Sequence, residues 1–239
     1  MSQDSGLDPS IDPALERTAT VLVVDTSGSM GEEVSPAADE EPRPRIEQIN
    51  EGMSFFKEEI IEMEEVKREI DVSVVTFGGG VTVEQEFTPI IDWEPPVLSE
   101  SGRTPMGGAI EKALDLVDDR KEAYKQEGIA YKRPFVWVLT DGKPTDMKPN
   151  SEKWENIHDR IQTGENGKHF ALFIMAVGQG AKEAISPLHP ERTLALEDGK
   201  FREYFEFLSS SVEQVSSTED DDDIDLSEEA GEFEEIFQL

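Results

Sequence analysis

Apolar residues in this chain fall into two kinds of run. Residues 20–24 form an unbroken stretch, Thr20-Val21-Leu22-Val23-Val24, of the kind that suits a strand buried on both faces. Further strands are expected at 72–77, 81–87, 135–139, 170–177 and 193–196. The 81–87 run alternates, with Glu84 and Glu86 on one side. It follows Gly78-Gly79-Gly80, so it reads as the half-exposed edge strand of a hairpin. Helical stripes at steps of three and four lie between the strands. One is Ile46, Ile49, Met53, Phe56, Ile60 and Met63; another is Met106, Ala109, Ile110, Ala113, Leu114 and Val117. A third, Trp154, Ile157 and Ile161, follows a capping Ser151, and a fourth is Phe201, Tyr204, Phe205, Leu208, Val212 and Val215. All four are read as core faces.

This alternation predicts an α/β fold. The expected form is a doubly wound, mostly parallel six-stranded sheet with one antiparallel edge strand and helices on both faces. Such sheets bind ligands beyond the carboxyl ends of their strands, where the strand order reverses. The loops after Val24, before Pro105 and after Leu139 are therefore the places to look for chemistry. A chain of 239 residues suits one such domain, over residues 19–216, behind a flexible arm at 1–18 and ahead of an acidic tail at 217–239. The tail's densest block is Asp220 to Asp223. Its last residues mix Phe233, Ile236, Phe237 and Leu239 with acids, which suits either a solvated tail or a short docking helix.

Charge narrows the partners. There are 54 acidic residues against 22 basic ones, a formal net charge of -32. That surface repels phosphate backbones and anionic lipid, so neither nucleic acid nor membrane is expected as a partner, and it argues for a monomer. The same balance fits a protein built for high salt, or an ordinary acidic protein with an acidic tail. With no cysteine, thiol nucleophiles, disulfides and zinc thiolate sites are excluded. The polar start of the chain lacks the pattern of a signal peptide, and no apolar run is long enough to span a membrane, so a cytoplasmic location is expected.

Three segments carry candidate chemistry. The first strand runs into Asp25-Thr26-Ser27-Gly28-Ser29-Met30-Gly31, which can aim three hard oxygens at one place on a glycine-rich turn. Next comes Ser101-Gly102-Arg103-Thr104-Pro105-Met106-Gly107-Gly108. Pro105 is placed there as the first helical residue and Thr104 as its cap, so Thr104 alone reads as a ligand or as a cap. Third, Thr140-Asp141-Gly142-Lys143-Pro144-Thr145-Asp146 follows a buried strand, and Asp141 alone reads as a ligand or as a turn aspartate.

Taken together, the three segments resemble the metal-ion-dependent adhesion site of von Willebrand factor A domains, and the resemblance covers residues 18–216. The Thr-Pro-Met-Gly-Gly-Ala and Leu-Thr-Asp-Gly-Lys-Pro-Thr-Asp runs, with residues 205–216, look most like the stand-alone prokaryotic TerY-like branch associated with tellurium resistance. The resemblance implies Mg²⁺ or Mn²⁺ at the top edge of the sheet. Ser27, Ser29 and Thr104 would give oxygens directly, and Asp25 and Asp141 directly or through water. It also implies a non-enzymatic role in which the metal binds a partner protein's Asp or Glu. A kinase or phosphatase in a stress-response or phosphoprotein signalling assembly is the partner it suggests.

Two features depart from that branch. Residues 32–44 form an acidic, proline-containing insert beside the metal loop, and Glu32 and Glu33 stand where integrin-type domains hold a neighbouring cation. The rival readings are a metal-dependent phosphatase-like enzyme and a scaffold whose metal site does not function. Ser27 stands two residues after Asp25 where such a phosphatase would need a second acid, and His158, His169 and His189 lie outside all three segments. A third possibility is that a carboxylate of the tail fills the metal position in cis.

Overall fold

The computed structural model describes residues 14–217 apart from Ala38. In chain order the elements are β1 (Thr18–Asp25), β2 (Glu33–Val34), β3 (Arg43–Pro44), α1 (Arg45–Glu62), β4 (Ile70–Gly78) and β5 (Gly80–Pro89). They continue with α2 (Met106–Glu127), β6 (Phe135–Thr140), α3 (Glu152–Asn166), β7 (Ala171–Val177), α4 (Ala181–Ile185), β8 (Thr193–Leu196) and α5 (Phe201–Ser217). The acidic tail beyond Ser217 and most of the expected N-terminal arm lie outside the described residues. Arg17 is buried and Thr18 opens β1.

The main sheet has six strands in the order β5-β4-β1-β6-β7-β8. All neighbours pair in parallel except β4 with β5, the hairpin that turns at Gly79 with φ +74°. The expected doubly wound sheet with one antiparallel edge is thus what forms. Its two faces divide the alternating strand residues. Leu22, Val24, Val72 and Val74 pack under α1 and α5, while Val21, Val23, Val75 and Val138 pack under α2 and α3. This explains why β1, β6 and β7 read as unbroken apolar runs: both sides of each strand are core.

The α1–α5 contact depends on one missing side chain. A Cβ added at Gly52 would sit 2.1 Å from the Phe205 ring. Gly52→Ala is therefore expected to cost about 1–3 kcal/mol through overpacking, although alanine is the better helix former. Urea unfolding checks this; a stabilised variant would contradict the packing.

Three features lay outside the expectations. Residues 90–98 leave the sheet as an irregular segment that buries Ile90, Trp93 and Leu98 in the α1 side of the core. The helix α4 and two short 3-10 turns fill the path from β7 to β8. The insert at 32–44 folds back as a small antiparallel ribbon of β2 on β3, pinned by Gln48 Nε2 donating to the carbonyls of Val34 and Arg43.

No helix among the described residues is long and apolar enough to cross a membrane. The chain returns along α5 from β8 toward the start of β6, where Lys132 Nζ donates to the carbonyls of Val215 and Ser216. The described chain therefore ends at the edge of the sheet opposite the carboxyl ends of its parallel strands.

Candidate metal centre

Strand order reverses between β1 and β6. The crossover from β1 leads to β4 on one side, and the later strands are added on the other. The loops that leave β1 and β6 therefore lie at the switch point, the usual place for a ligand in such a sheet. The register sets Val24 beside Leu139, so Asp25 and Thr140 end adjacent strands at the same height.

Asp25 is fully buried and both its oxygens are engaged. Oδ1 accepts from the Ser27 backbone N–H at 2.8 Å, and Oδ2 accepts from Thr140 Oγ1 at 2.6 Å. The first bond folds the chain back sharply after β1 and presents the Ser27 and Ser29 hydroxyls side by side, with their Oγ atoms 3.2 Å apart. Ser29 Oγ then donates to Asp141 Oδ1 at 2.7 Å. Asp25, Ser27, Ser29 and Asp141 are thus linked through contacts at hydrogen-bond distance, with Thr140 completing the chain.

Thr104 joins from the third segment. Its carbonyl accepts from Met106 and from Thr145, which ties the pre-α2 loop to the post-β6 loop. The helix begins at Met106 with Pro105 at the cap position and no side-chain cap bond, so Thr104 is not the capping residue expected from the sequence. The reason is that Pro105 carries ψ 57°, outside the helical range, which delays the helix by one residue. Asp146 satisfies the helix start instead, accepting from the Gly107 and Gly108 backbone N–H groups at 3.1 and 2.9 Å. The Thr104 residue is 7% exposed, and its Oγ1 lies 3.8 Å from where a Cβ on Gly142 would stand.

Burial sets the electrostatics. Loss of solvent pushes the Asp25 carboxyl up to about 6, against the hydrogen bonds from Thr140 and Ser27, and the nearby Asp141 adds to the rise. Asp141 is also raised, first by burial, with the Ser29 hydrogen bond and the Arg45 charge opposing. Two buried carboxylates that resist ionisation beside each other favour a cation.

The donor set fits a hard divalent ion. Adjacent ligand oxygens around Mg²⁺ at its usual bond length stand about 3 Å apart. That matches the 3.2 Å and 2.7 Å separations here. Thr104 supplies a nearly buried hydroxyl that serves neither as a cap nor in any other side-chain hydrogen bond among the described residues. Among those residues no three of His, Cys, Asp and Glu come together as a metal-holding group, so a cation here would rest on hydroxyls and two carboxylates.

A model of the von Willebrand factor type A domain matches residues 20–143, just over half of the 239-residue chain. The chain belongs to that family. The candidate ligands Asp25, Ser27, Ser29, Thr104 and Asp141 all fall inside the matched residues. Solved structures agree on the fold. The von Willebrand domain of the type V pili tip protein Mfa5 from Porphyromonas gingivalis is 8% identical with a TM-score of 0.59, covering 86% of this chain and 98% of that one. The conserved hypothetical protein BatB from Bacteroides thetaiotaomicron is 14% identical with a TM-score of 0.52, covering 84% and 100%. The ArnB paralog VWA2 from Sulfolobus acidocaldarius is 18% identical with a TM-score of 0.52, covering 82% of this chain and 45% of that one. No curated protein matches the chain.

Sequence reasoning missed several groups that shape this von Willebrand domain site. Thr140 fixes Asp25, and its place immediately before Asp141 was the available signal. Arg45 donates to Asp141, Glu32 and Asp198, and nothing in its own stretch of sequence marks it. Glu32 is engaged by Arg45 Nη1 at 3.0 Å, and Glu33 lies exposed on β2.

Proposed function

We propose that this von Willebrand domain holds Mg²⁺ or Mn²⁺ at Asp25, Ser27, Ser29, Thr104 and Asp141, as a metal-ion-dependent adhesion site, and binds a carboxylate of a partner protein there. The observation that carries the reading is the line of Ser27, Ser29 and Asp141 oxygens at contact distance at the switch point of the sheet. When bound, the metal supplies a positive charge that neutral hydroxyls leave largely unneutralised. The chain's own residues do the rest. Asp25 braces the turn through Ser27 and Thr140, Ser27 and Ser29 present their hydroxyls, and Asp141 orients Ser29.

The arrangement favours adhesion over hydrolysis. A phosphatase nucleophile needs a free, exposed oxygen, whereas Asp25 is fully buried with both oxygens bonded. The TerY-like branch, a cytoplasmic place and a kinase or phosphatase partner extend this proposal by resemblance.

The test uses immobilised peptides that differ only in Glu against Gln. In Mn²⁺ the protein is expected to be retained on the Glu peptides about tenfold more than on the Gln ones, and EDTA abolishes the difference. A net charge of -32 should repel the protein from acidic peptides without metal, which sharpens the contrast. Equal retention with and without metal contradicts the reading.

A further inference from the structure

Arg45, the first residue of α1, is buried beside the candidate metal centre and touches four separate segments. Nε and Nη2 hold Asp198 of the β8–α5 loop at 2.8 and 2.5 Å. Nη1 donates to the Ser29 carbonyl at 2.9 Å, to Asp141 Oδ2 at 2.9 Å and to Glu32 Oε2 at 3.0 Å. A guanidinium Nη carries two hydrogens, so Nη1 serves three acceptors with two N–H groups. These three contacts therefore share two hydrogens, while the grip on Asp198 is a full fork.

The two oxygens of Asp141 have different neighbours. Oδ1 faces the Ser29 hydroxyl in the proposed metal shell, and Oδ2 faces a permanent cation. A structural ion pair for Arg45 needs only Asp198. Its placement against Asp141 adds a positive charge at the one place where it lessens that carboxylate's negative charge.

We propose that Arg45 is a positioning residue that divides the charge of the metal site, loosening the protein's hold on the metal and strengthening the metal's hold on a partner carboxylate. This rests on the metal-binding reading above. With Arg45 drawing on Asp141, a bound divalent ion keeps more of its charge for an incoming acid. The same residue connects the site to its surroundings: Glu32 begins the insert and Asp198 begins the turn into α5. Gly199, at φ +86°, lies so close to the insert that an added Cβ would stand 2.2 Å from the Ser35 carbonyl oxygen. The insert, the metal loop and the β8–α5 turn are thus held together around one guanidinium.

The test measures two affinities on the full chain, with Ser27→Ala/Ser29→Ala as the background for ions condensed on the acidic surface. Mn²⁺ binding is read by electron paramagnetic resonance, and acetate binding to the Mn²⁺-loaded protein by relaxation of the acetate methyl protons. Arg45→Met and Arg45→Gln are expected to bind Mn²⁺ about tenfold more tightly and acetate several-fold more weakly than the wild type. Arg45→Lys keeps the charge and is expected to restore both within about threefold. A role confined to folding would weaken both affinities together or leave both unchanged, and either result overturns the proposal. If Arg45→Met does not fold, Arg45→Gln against Arg45→Lys decides it by the same signs. Absence of saturable Mn²⁺ binding in the wild type would instead overturn the metal reading itself, and this proposal with it.

Discussion

Asp71→Ala is expected to destabilise the domain by about 3–5 kcal/mol, enough to unfold it under mild conditions. Asp71 sits at the start of β4 with no exposed surface, and three side chains converge on it. Arg17 pairs with both of its oxygens, Arg120 Nη2 donates to Oδ2 at 2.8 Å, and Tyr124 donates its hydroxyl to the same oxygen. Arg17 and Arg120 are themselves buried. Removing the carboxylate therefore leaves two guanidinium groups in the interior facing one another without their common counter-charge. It also releases the link between the start of the sheet and α2, because Arg120 and Tyr124 both lie on that helix. Urea unfolding measures the loss; a cost below about 1 kcal/mol would show that the cluster does not hold this edge together. The cluster lies at the edge opposite the candidate metal centre, so Mn²⁺ affinity of the remaining folded protein should be unchanged.

The second large effect has the opposite sign. Asp25→Asn is expected to stabilise the metal-free domain while lowering Mn²⁺ affinity by about 10–100-fold. Burial raises the Asp25 carboxyl to about 6 from an ordinary value of 3.8, so its ionised form is disfavoured in the fold relative to the unfolded chain. At neutral pH that difference corresponds to a penalty of about 3 kcal/mol, of which the amide should relieve part. The asparagine carbonyl can still accept from Ser27, and its NH₂ can donate to Thr140 Oγ1. The sign with pH follows from the raised value: the penalty is complete above about 6 and disappears below 3.8. The gain from Asp25→Asn should accordingly be largest at pH 7 and shrink as pH falls to 4. Thermal unfolding in EDTA across that range checks it. A variant less stable than the wild type at pH 7 would mean that the ionised carboxylate is a structural asset, not a strained metal ligand.

Much of the fold was legible because its signals are local. An unbroken run such as 20–24 can be satisfied only between two layers, and the stripe from Ile46 to Met63 only on a helix. Asp25, Ser27 and Ser29 were legible for the same reason, since five consecutive residues contain them. Other features depend on distant partners. Arg45 looks like any helix-starting arginine until the fold brings Asp198 beside it, 153 positions along the chain. Asp71 carries no local mark, because its partners Arg17, just ahead of β1, and Arg120 and Tyr124, on α2, are distant in the chain. The β2–β3 ribbon has two residues per strand, too few for alternation to appear, and Trp93 enters the core from a segment with no period at all. Thr104 was misplaced as a cap because proline favours the first helical turn, whereas here Pro105 adopts ψ 57° and Asp146 caps the helix from another loop.

Calorimetric titration of Mg²⁺ and Mn²⁺ into the wild type and into Ser27→Ala/Ser29→Ala decides whether the cation is held by ligands or by bulk charge. The two hydroxyls lie 3.2 Å apart and contribute no charge, so their loss removes ligands without altering the acidic surface on which cations condense. Saturable binding of about one ion per wild-type chain is expected, and none in the double variant. Equal binding by the two proteins would mean that the cation is held only by the general negative charge, and the metal-dependent adhesion site would be contradicted.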